Sequence, residues 1–219
     1  EKEATGYPVY LQGGQQQGPK EDFVMENGLV RVVIDRQTAC VKSFIDLENG
    51  VEYIEKGKEA SFLHITMERD TCDGWQIGRY LKTESINAPI EINSRGGSLR
   101  KSVAAKYNVG KQSKIEIEAI LEANSKAIKF KIKVDWGEVA GETIPLLTFN
   151  VPFSFRTDKY LFDVPAGSQY RAPQKEDLPG LQYAAAIKDD GTALALVPDS
   201  KYGYRTSENE FAVTLINTS

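Results

Sequence analysis

Residues 128–134 alternate strictly between apolar and charged side chains, and this alternation constrains the fold more than any other feature of the sequence. Ile128, Phe130, Ile132 and Val134 share one face of an extended chain, because successive side chains of a β-strand point to opposite faces of the sheet. The intervening lysines are therefore expected on the solvent face of a strand rather than in a phosphate-binding patch. Such a half-buried strand is typical of an antiparallel sheet.

The same period of two recurs along most of the chain. It is clear in Leu29–Asp35, with Val41–Asp46 as the expected hairpin partner across a short turn. Only Glu116–Lys126 is rich in helix-forming residues, yet apolar and charged residues alternate from Ile115 to Leu121, so a strand is the better interpretation. Many short strands without a fixed repeat predict an all-β fold, a large antiparallel sandwich or barrel.

The sequence predicts one large domain preceded by an arm. Residues 1–21 are rich in glycine and glutamine and lack periodicity, which is typical of a linker or an N-terminal arm. Residues 22–219 carry the strand pattern, and one β-sandwich commonly occupies such a length. No stretch approaches the roughly 20 apolar residues of a membrane helix, so no membrane association is expected. Because the chain begins with Glu1 rather than Met, we expect it to be a fragment of a longer protein.

The net charge and the cysteine content limit which binding partners and which cellular compartment are expected for this protein. The formal net charge is −4 and no block of lysine and arginine occurs, which argues against nucleic acid as a partner. Cys40 and Cys72 lie far apart in no paired motif, so two buried thiols are the simplest interpretation. Such cysteine usage fits a reducing compartment, and a cytoplasmic location is expected.

The sequence contains few of the residue combinations that form known types of active site. His64 is the single histidine, and no Gly-x-Ser-x-Gly elbow, histidine zinc set or phosphate-binding loop occurs. A structural role of His64 and a role as ligand or base both remain open. Carboxylates are abundant, so a two-carboxylate glycosidase site is not excluded by composition. The clusters at Glu68–Asp73 and Asp189–Gly191 are weak candidates, and we assign no catalytic and no metal-binding residue to this chain.

Several stretches share their order and spacing with one known family. They are Met25–Asp46, Gly50–Glu52, Phe162–Pro173, Ala193–Tyr204 and Phe211–Ile216, with a weaker match at Trp75–Gly78. The most specific is Ala193–Tyr204, which contains Asp-Ser-Lys-Tyr-Gly-Tyr. Together they resemble the C-terminal sandwich region of glycoside hydrolase family 38, the α-mannosidases. Ala166 departs from the family pattern, which usually has an aromatic residue at that position.

The resemblance implies a large two-sheet antiparallel supersandwich, similar to the galactose-mutarotase fold. It also implies a parent enzyme that hydrolyses terminal α-mannosides of glycans with retention. In the family, an aspartate nucleophile and a zinc ion held by aspartate and histidine belong to an N-terminal catalytic domain. No cofactor is therefore expected in this chain, and the catalytic domain of the same parent chain is the expected partner. The family continues through further strands, so residues 22–219 are expected to be incomplete at the C-terminal end.

The resemblance also supplies candidates for contact with substrate, which are Trp75, Asp199, Lys201, Tyr202 and Tyr204. The alternative is that the last four only form a tight turn. In the family, residues just past the Tyr-Gly-Tyr strand line the substrate pocket, commonly through an arginine. In this chain Asn217-Thr218-Ser219 stand in that neighbourhood, so that contact is not transferred.

Three functions are compatible with these observations to different degrees. The first is a non-catalytic domain that supports the α-mannosidase catalytic domain and rims its pocket. The second is an independent carbohydrate-binding module that recognises mannosyl glycans, since aromatic residues such as Trp75, Tyr80, Tyr170 and Tyr204 can stack on sugars. The third, a stand-alone sugar epimerase, conflicts with the single histidine, because such proton transfers usually employ several.

Overall fold

The computed structural model describes residues 9–12, 21–69 and 77–218, and all regular secondary structure in these ranges is β-strand. The strands are β1 (Tyr10–Gln12), β2 (Phe23–Glu26), β3 (Val30–Ile34), β4 (Val41–Asp46), β5 (Val51–Glu52), β6 (Ser61–Glu68), β7 (Tyr80–Ile86), β8 (Glu91–Gly96), β9 (Arg100–Val109), β10 (Ser113–Glu122), β11 (Ile128–Asp135), β12 (Thr143–Pro152), β13 (Tyr160–Val164), β14 (Gly167–Arg171), β15 (Leu178–Pro179), β16 (Ala184–Ile187), β17 (Ala193–Leu196), β18 (Gly203–Thr206) and β19 (Glu210–Asn217). The strand pairs are antiparallel. The predicted all-β antiparallel sandwich is confirmed.

The chain divides into two compact units, and neither is continuous in sequence. Unit 1 comprises residues 1–59 and 86–137, and unit 2 comprises residues 60–85 and 138–219. The predicted division into an arm (1–21) and one domain (22–219) follows different boundaries and stays a prediction. Within the arm, β1 pairs with β2, so residues 10–12 extend a sheet of unit 1.

Unit 1 contains two sheets, with strand orders β1-β2-β3-β4-β5 and β11-β10-β9-β8. The predicted hairpin is present as β3 and β4. In β3, Val30, Val32 and Ile34 are buried while Arg31 is exposed, as the alternation predicts. The segment that could be read as a helix is strand β10. On β11, Lys129, Lys131 and Lys133 are exposed, which confirms their predicted place on the solvent face.

Asn27, in the turn between β2 and β3, joins the two sheets of unit 1. Its side chain is 1% exposed, and its Nδ2 donates to the backbone oxygens of Glu122 and Ser125, each at 2.8 Å. Its Oδ1 accepts from the backbone nitrogens of Leu29 at 3.1 Å and Val30 at 3.0 Å. One buried amide therefore ties this turn to the end of β10, which explains why asparagine suits the Glu-Asn-Gly stretch.

Unit 2 also contains two sheets, with strand orders β15-β18-β19-β12-β6-β7 and β14-β13-β16-β17. Phe153, Tyr160, Phe162, Tyr204 and Phe211 form its centre, and none of them is measurably exposed. Two pairs meet edge to face, at 5.6 Å between the ring centroids of Phe153 and Phe211 and at 5.7 Å between those of Phe162 and Tyr204. Edge-to-face contacts of this kind are favourable for aromatic rings. The aromatic cluster therefore joins the two sheets.

None of the described residues belongs to a helix long and apolar enough to cross a membrane.

Replacing Asn27 by alanine is expected to lower the free energy of unfolding by about 3 kcal/mol, because buried backbone groups lose their partners. Chemical denaturation followed by circular dichroism measures this change. Asn108→Ala is the matched control, since Asn108 is exposed on β9, and it is expected to change the free energy by less than about 0.5 kcal/mol. Equal effects of the two substitutions would contradict the role of Asn27.

Candidate functional site

The turn between β17 and β18 carries three of the residues predicted to contact substrate. Asp199 is exposed, and its Oδ1 accepts a hydrogen bond of 3.1 Å from the hydroxyl of Ser200. Ser200 has a φ of 60°, the left-handed conformation that a tight turn needs. Lys201 is half-buried, and Tyr202 is 58% exposed. The turn therefore presents a carboxylate and an aromatic ring to solvent.

Tyr204, the fourth predicted contact residue in this stretch, lies in the core of unit 2. Its ring packs against Phe162 and against Gly180, where an added Cβ would come within 2.9 Å of the Tyr204 ring. Its hydroxyl has no hydrogen-bond partner among the described residues. Burial, and to a smaller extent the charge of Asp163, raises the pKa of Tyr204 to about 12. This environment is that of a packing residue, and its contact with substrate stays a prediction.

Trp75 and His64, the two other candidate residues from the sequence, lie outside this turn. Trp75 lies outside the described residues. His64 is half-buried in β6, opposite Leu147 of β12. No group of three histidine, cysteine, aspartate or glutamate side chains among the described residues could hold a metal ion. The zinc ion that the resemblance implies is expected in the catalytic domain of the parent, and this expectation stays a prediction.

A buried ion pair next to the turn was not predicted from the sequence. The Asp177 side chain is only 8% exposed, and its Oδ1 lies 3.4 Å from Nε of Arg205. The Thr214 hydroxyl donates a hydrogen bond to the other carboxylate oxygen of Asp177. Gly203 leaves room for this carboxylate, because an added Cβ would lie 3.2 Å from its Oδ2. Arg205 and Thr214 point to the same face of the sheet, since Arg205 pairs with Ala212, two residues before Thr214.

Tyr80 completes this cluster from β7. The Arg205 guanidinium carbon lies 3.7 Å from the centroid of the Tyr80 ring, a stacked cation–π contact. Burial raises the pKa of Tyr80 far above its usual value, the charge of Asp177 raises it further, and Arg205 acts in the opposite direction. The Tyr80 hydroxyl has no hydrogen-bond partner among the described residues. Asp177, Arg205, Thr214 and Tyr80 together are called the Asp177 cluster below.

Residues 172–183, called the strap, lie along β18, because β15 within them pairs with β18. The backbone of Gln174 exchanges hydrogen bonds with Thr206, from Gln174 N to the Thr206 hydroxyl at 3.0 Å and from Thr206 N to Gln174 O at 3.2 Å. Gly180 N donates to Tyr202 O at 2.9 Å. The strap therefore contacts the turn that carries Asp199 and Tyr202 directly. Chemically, the cluster can position these residues, since its carboxylate and guanidinium already neutralise one another.

A groove of about 410 Å³ lies on the solvent face of the β11-β10-β9-β8 sheet in unit 1. Its lining is dominated by charged side chains, among them the ion pair of Lys106 and Glu91 at 2.9 Å. None of the described residues that line it is aromatic. The groove therefore lacks the stacking surface that a sugar-binding site on a sheet usually offers.

Residues 25–218 match the glycosyl hydrolases family 38 C-terminal domain. The chain belongs to this family. The match confirms the resemblance inferred from the sequence motifs, and it covers both units. No curated protein matches the chain.

One solved structure supports the fold of this family 38 domain. An α-mannosidase from Enterococcus faecalis V583 superposes with a TM-score of 0.72 at 12% identity, over 89% of this chain and 25% of that chain. A 4-α-glucanotransferase from Thermococcus litoralis gives a TM-score of 0.42 at 10% identity, over 94% of this chain and 39% of that chain, which is too low to carry an argument. The family 38 domain thus spans about a quarter of the α-mannosidase that it resembles.

Asp177→Ala is expected to lower the free energy of unfolding by about 2 kcal/mol, because it leaves a largely buried guanidinium unpaired. The loss is smaller than for a fully buried pair, because the Arg205 side chain is 25% exposed. Asp199→Ala removes an exposed carboxylate from the turn and is expected to cost less than about 0.5 kcal/mol. In a double-mutant cycle measured by chemical denaturation, the effects of Asp177→Ala and Arg205→Ala should add to more than the effect of the double variant. Strict additivity would contradict the pairing.

Replacing tyrosine by phenylalanine at two core positions, Tyr204 and Tyr160, is expected to change the free energy of unfolding in opposite directions. Tyr204→Phe removes a buried hydroxyl without a described partner and is expected to raise the free energy of unfolding by about 1 kcal/mol. Tyr160→Phe removes hydrogen bonds to the backbone oxygens of Ser207 at 2.7 Å and Glu210 at 3.2 Å and is expected to lower it by about 1 kcal/mol. Thermal unfolding at pH 7 compares the two. Destabilisation by both would show that the Tyr204 hydroxyl has a partner.

Proposed function

We propose that this family 38 domain is the non-catalytic C-terminal sandwich domain of a retaining, zinc-dependent α-mannosidase that hydrolyses terminal α-mannosides of glycans. The observation that carries the proposal is the family match over residues 25–218. The α-mannosidase with the same fold is about four times as long as the part that this chain covers. The catalytic domain of the same parent chain is then the main partner, and the zinc ion and the nucleophile belong to it.

The role proposed for this domain is to support the catalytic domain and to rim its pocket with the turn between β17 and β18. The exposure of Asp199 and Tyr202 supports this role. The contacts of the strap support it as well, because its pairing with β18 and the Gly180–Tyr202 hydrogen bond give the turn a defined position. A carboxylate and an aromatic ring are groups that can accept from sugar hydroxyls and pack on a sugar face.

We place the parent enzyme in the cytoplasm. Cys40 is a free, buried thiol, and burial raises its pKa to about 12. A thiol with so high a pKa is almost entirely protonated at neutral pH and is therefore a poor nucleophile for disulfide exchange. Such a cysteine fits a protein that keeps its thiols reduced.

A second candidate function is an independent module that binds mannosyl glycans. The exposure of Tyr170 and Tyr202, 61% and 58%, favours it, since exposed rings are available for stacking on sugars. Tyr80 and Tyr204 do not add to this surface, because Tyr204 is fully buried and the Tyr80 ring is covered by Arg205.

The purified 219-residue chain is expected to release no nitrophenol from an aryl α-mannoside in the presence of zinc, whereas the full-length parent polypeptide does. Turnover by the chain alone would contradict a non-catalytic role. Titration calorimetry of the chain with mannose and short α-mannosides is expected to give no saturable heat. Saturable heat that disappears in Tyr202→Ala would favour the binding module.

In the full-length enzyme, Tyr202→Ala tests the rim. We expect its KM for an α-mannoside to rise about tenfold with little change in kcat, the signature of lost binding rather than lost chemistry. Leu99→Ala is the control, because Leu99 is 77% exposed and belongs to unit 1 rather than to the unit that carries this turn. An unchanged KM in Tyr202→Ala would remove the turn from the pocket rim.

A further inference from the structure

The outward face of the β14-β13-β16-β17 sheet in unit 2 has an apolar central row, flanked on β13 and β14 by Asp163 and Ser168. Leu161 of β13 pairs with Tyr170 of β14 and with Ala185 of β16, and Ala185 pairs with Ala195 of β17. Residues opposite one another in an antiparallel pair point to the same face, so these four side chains form an apolar row across all four strands. The opposite face of the sheet is the aromatic core, which contains Tyr160.

A second row extends this surface. Ile187 of β16 pairs with Ala193 of β17, and Val197 follows Ala195 at the spacing of two that keeps it on the same face. We call the combined surface the apolar face, and it consists of Leu161, Tyr170, Ala185, Ile187, Ala193, Ala195 and Val197. Tyr170 is 61% exposed and Val197 is 72% exposed, whereas Leu161 and Ile187 are half-buried and Ala185 is buried. Charge is confined to its ends, where Lys159 lies 5.3 Å from the Tyr170 ring centroid and Asp163 lies on β13.

The four-stranded sheet of unit 1 differs from this sheet in the side chains on its outward face. Its outward face carries cross-strand pairs of opposite charge, such as Glu116 opposite Lys133 and Glu118 opposite Lys131. This is the composition of a sheet face that stays in water. The same chain thus places charges on one outward face and alanine, leucine, isoleucine, valine and tyrosine on the other. Contiguous apolar surface of this kind marks an interaction site.

We propose that the apolar face packs against the catalytic portion of the same parent polypeptide, which buries Tyr170 and Ala195. The inference rests on the proposed function, and it names the surface through which this domain supports the catalytic domain. Three quarters of the length of the E. faecalis α-mannosidase lies outside the region matched by this chain, so a covalently linked partner of sufficient size is at hand. Covalent linkage gives millimolar effective concentration, at which a modest apolar contact suffices.

The shape of the apolar face defines the partner surface. Ala185, Ala193 and Ala195 form a low floor on two neighbouring strands, with the Tyr170 ring at one edge. A helix or a second sheet can approach such a floor closely, at the layer spacing of about 10 Å seen in packed sheets. The partner surface is therefore apolar and carries large side chains, with an acidic group opposite Lys159.

Hydroxyl-radical footprinting of the full-length polypeptide and of the 219-residue chain tests the proposal. Tyr170 is expected to be oxidised about tenfold more slowly in the full-length polypeptide, because the core of an interface is desolvated. Leu99, which is 77% exposed in unit 1, is expected to react equally in both. Equal oxidation of Tyr170 in the two forms overturns the proposal. Protection that appears in the isolated chain with dimerisation, or on adding α-mannosides, also overturns it, because the occupant is then a second copy or a glycan.

Ala195→Lys places a charge in the apolar face, and Ala104→Lys places one on the charged face of unit 1. Ala195→Lys is expected to restore Tyr170 oxidation and to lower the melting temperature of the full-length polypeptide. It should leave the melting temperature of the isolated chain unchanged, since Ala195 is exposed there. Ala104→Lys should have neither effect.

Measuring α-mannosidase activity in the same samples separates the two proposals. An active full-length enzyme with unprotected Tyr170 contradicts only the docking surface. An inactive polypeptide with protected Tyr170 contradicts only the proposed function.

Discussion

The buried carboxylate of Asp177 links three segments around the candidate site. It contacts β18 through Arg205 and β19 through Thr214, while its own backbone belongs to the strap. Removing a carboxylate and a guanidinium from water is costly, and the cost is offset only if the partners hold one another in a good geometry. Asp177 Oδ1 and Arg205 Nε make no hydrogen bond with each other, so the charge attraction and the Thr214 hydrogen bond act together with the β15–β18 pairing in placing the strap. The strap in turn contacts the turn that presents Asp199 and Tyr202 through the Gly180–Tyr202 hydrogen bond.

Alternation along single strands was enough to predict the class of fold, because the period of two is a local property of the sequence. It placed Lys129, Lys131 and Lys133 on a solvent face, and it identified β10 in spite of its helix-forming composition. The Asp177–Arg205 pair was missed because its members lie far apart in sequence, and Asp177 follows a lysine and a glutamate that suggest a solvated run. The signal that could have found it is Arg205 itself, a charged residue directly after the Tyr-Gly-Tyr stretch.

The candidate residues also show the limit of motif reasoning. The Asp-Ser-Lys-Tyr-Gly-Tyr stretch identified the family, yet its members have different environments: Tyr202 is exposed and Tyr204 is in the core. A motif records which residues suit a position and does not distinguish packing from binding. The Glu-Asn-Gly stretch is a case in which packing accounts for the residue type, since all of the described contacts of the Asn27 side chain are with the backbone of unit 1.

The interleaving of the two units has a consequence for biosynthesis. Strand β6 belongs to unit 2 and has one neighbour nearby in sequence, β7, but its other neighbour, β12, is encoded after the whole second part of unit 1. At translation rates of roughly 5–20 residues per second, one edge of β6 waits several seconds for its partner on the ribosome. During that interval Phe62, Ile65 and Met67, which are buried in the finished domain, lie next to an open strand edge. The nascent chain is therefore most exposed to aggregation and to chaperone binding at this strand, and unit 1 can close before unit 2 is complete.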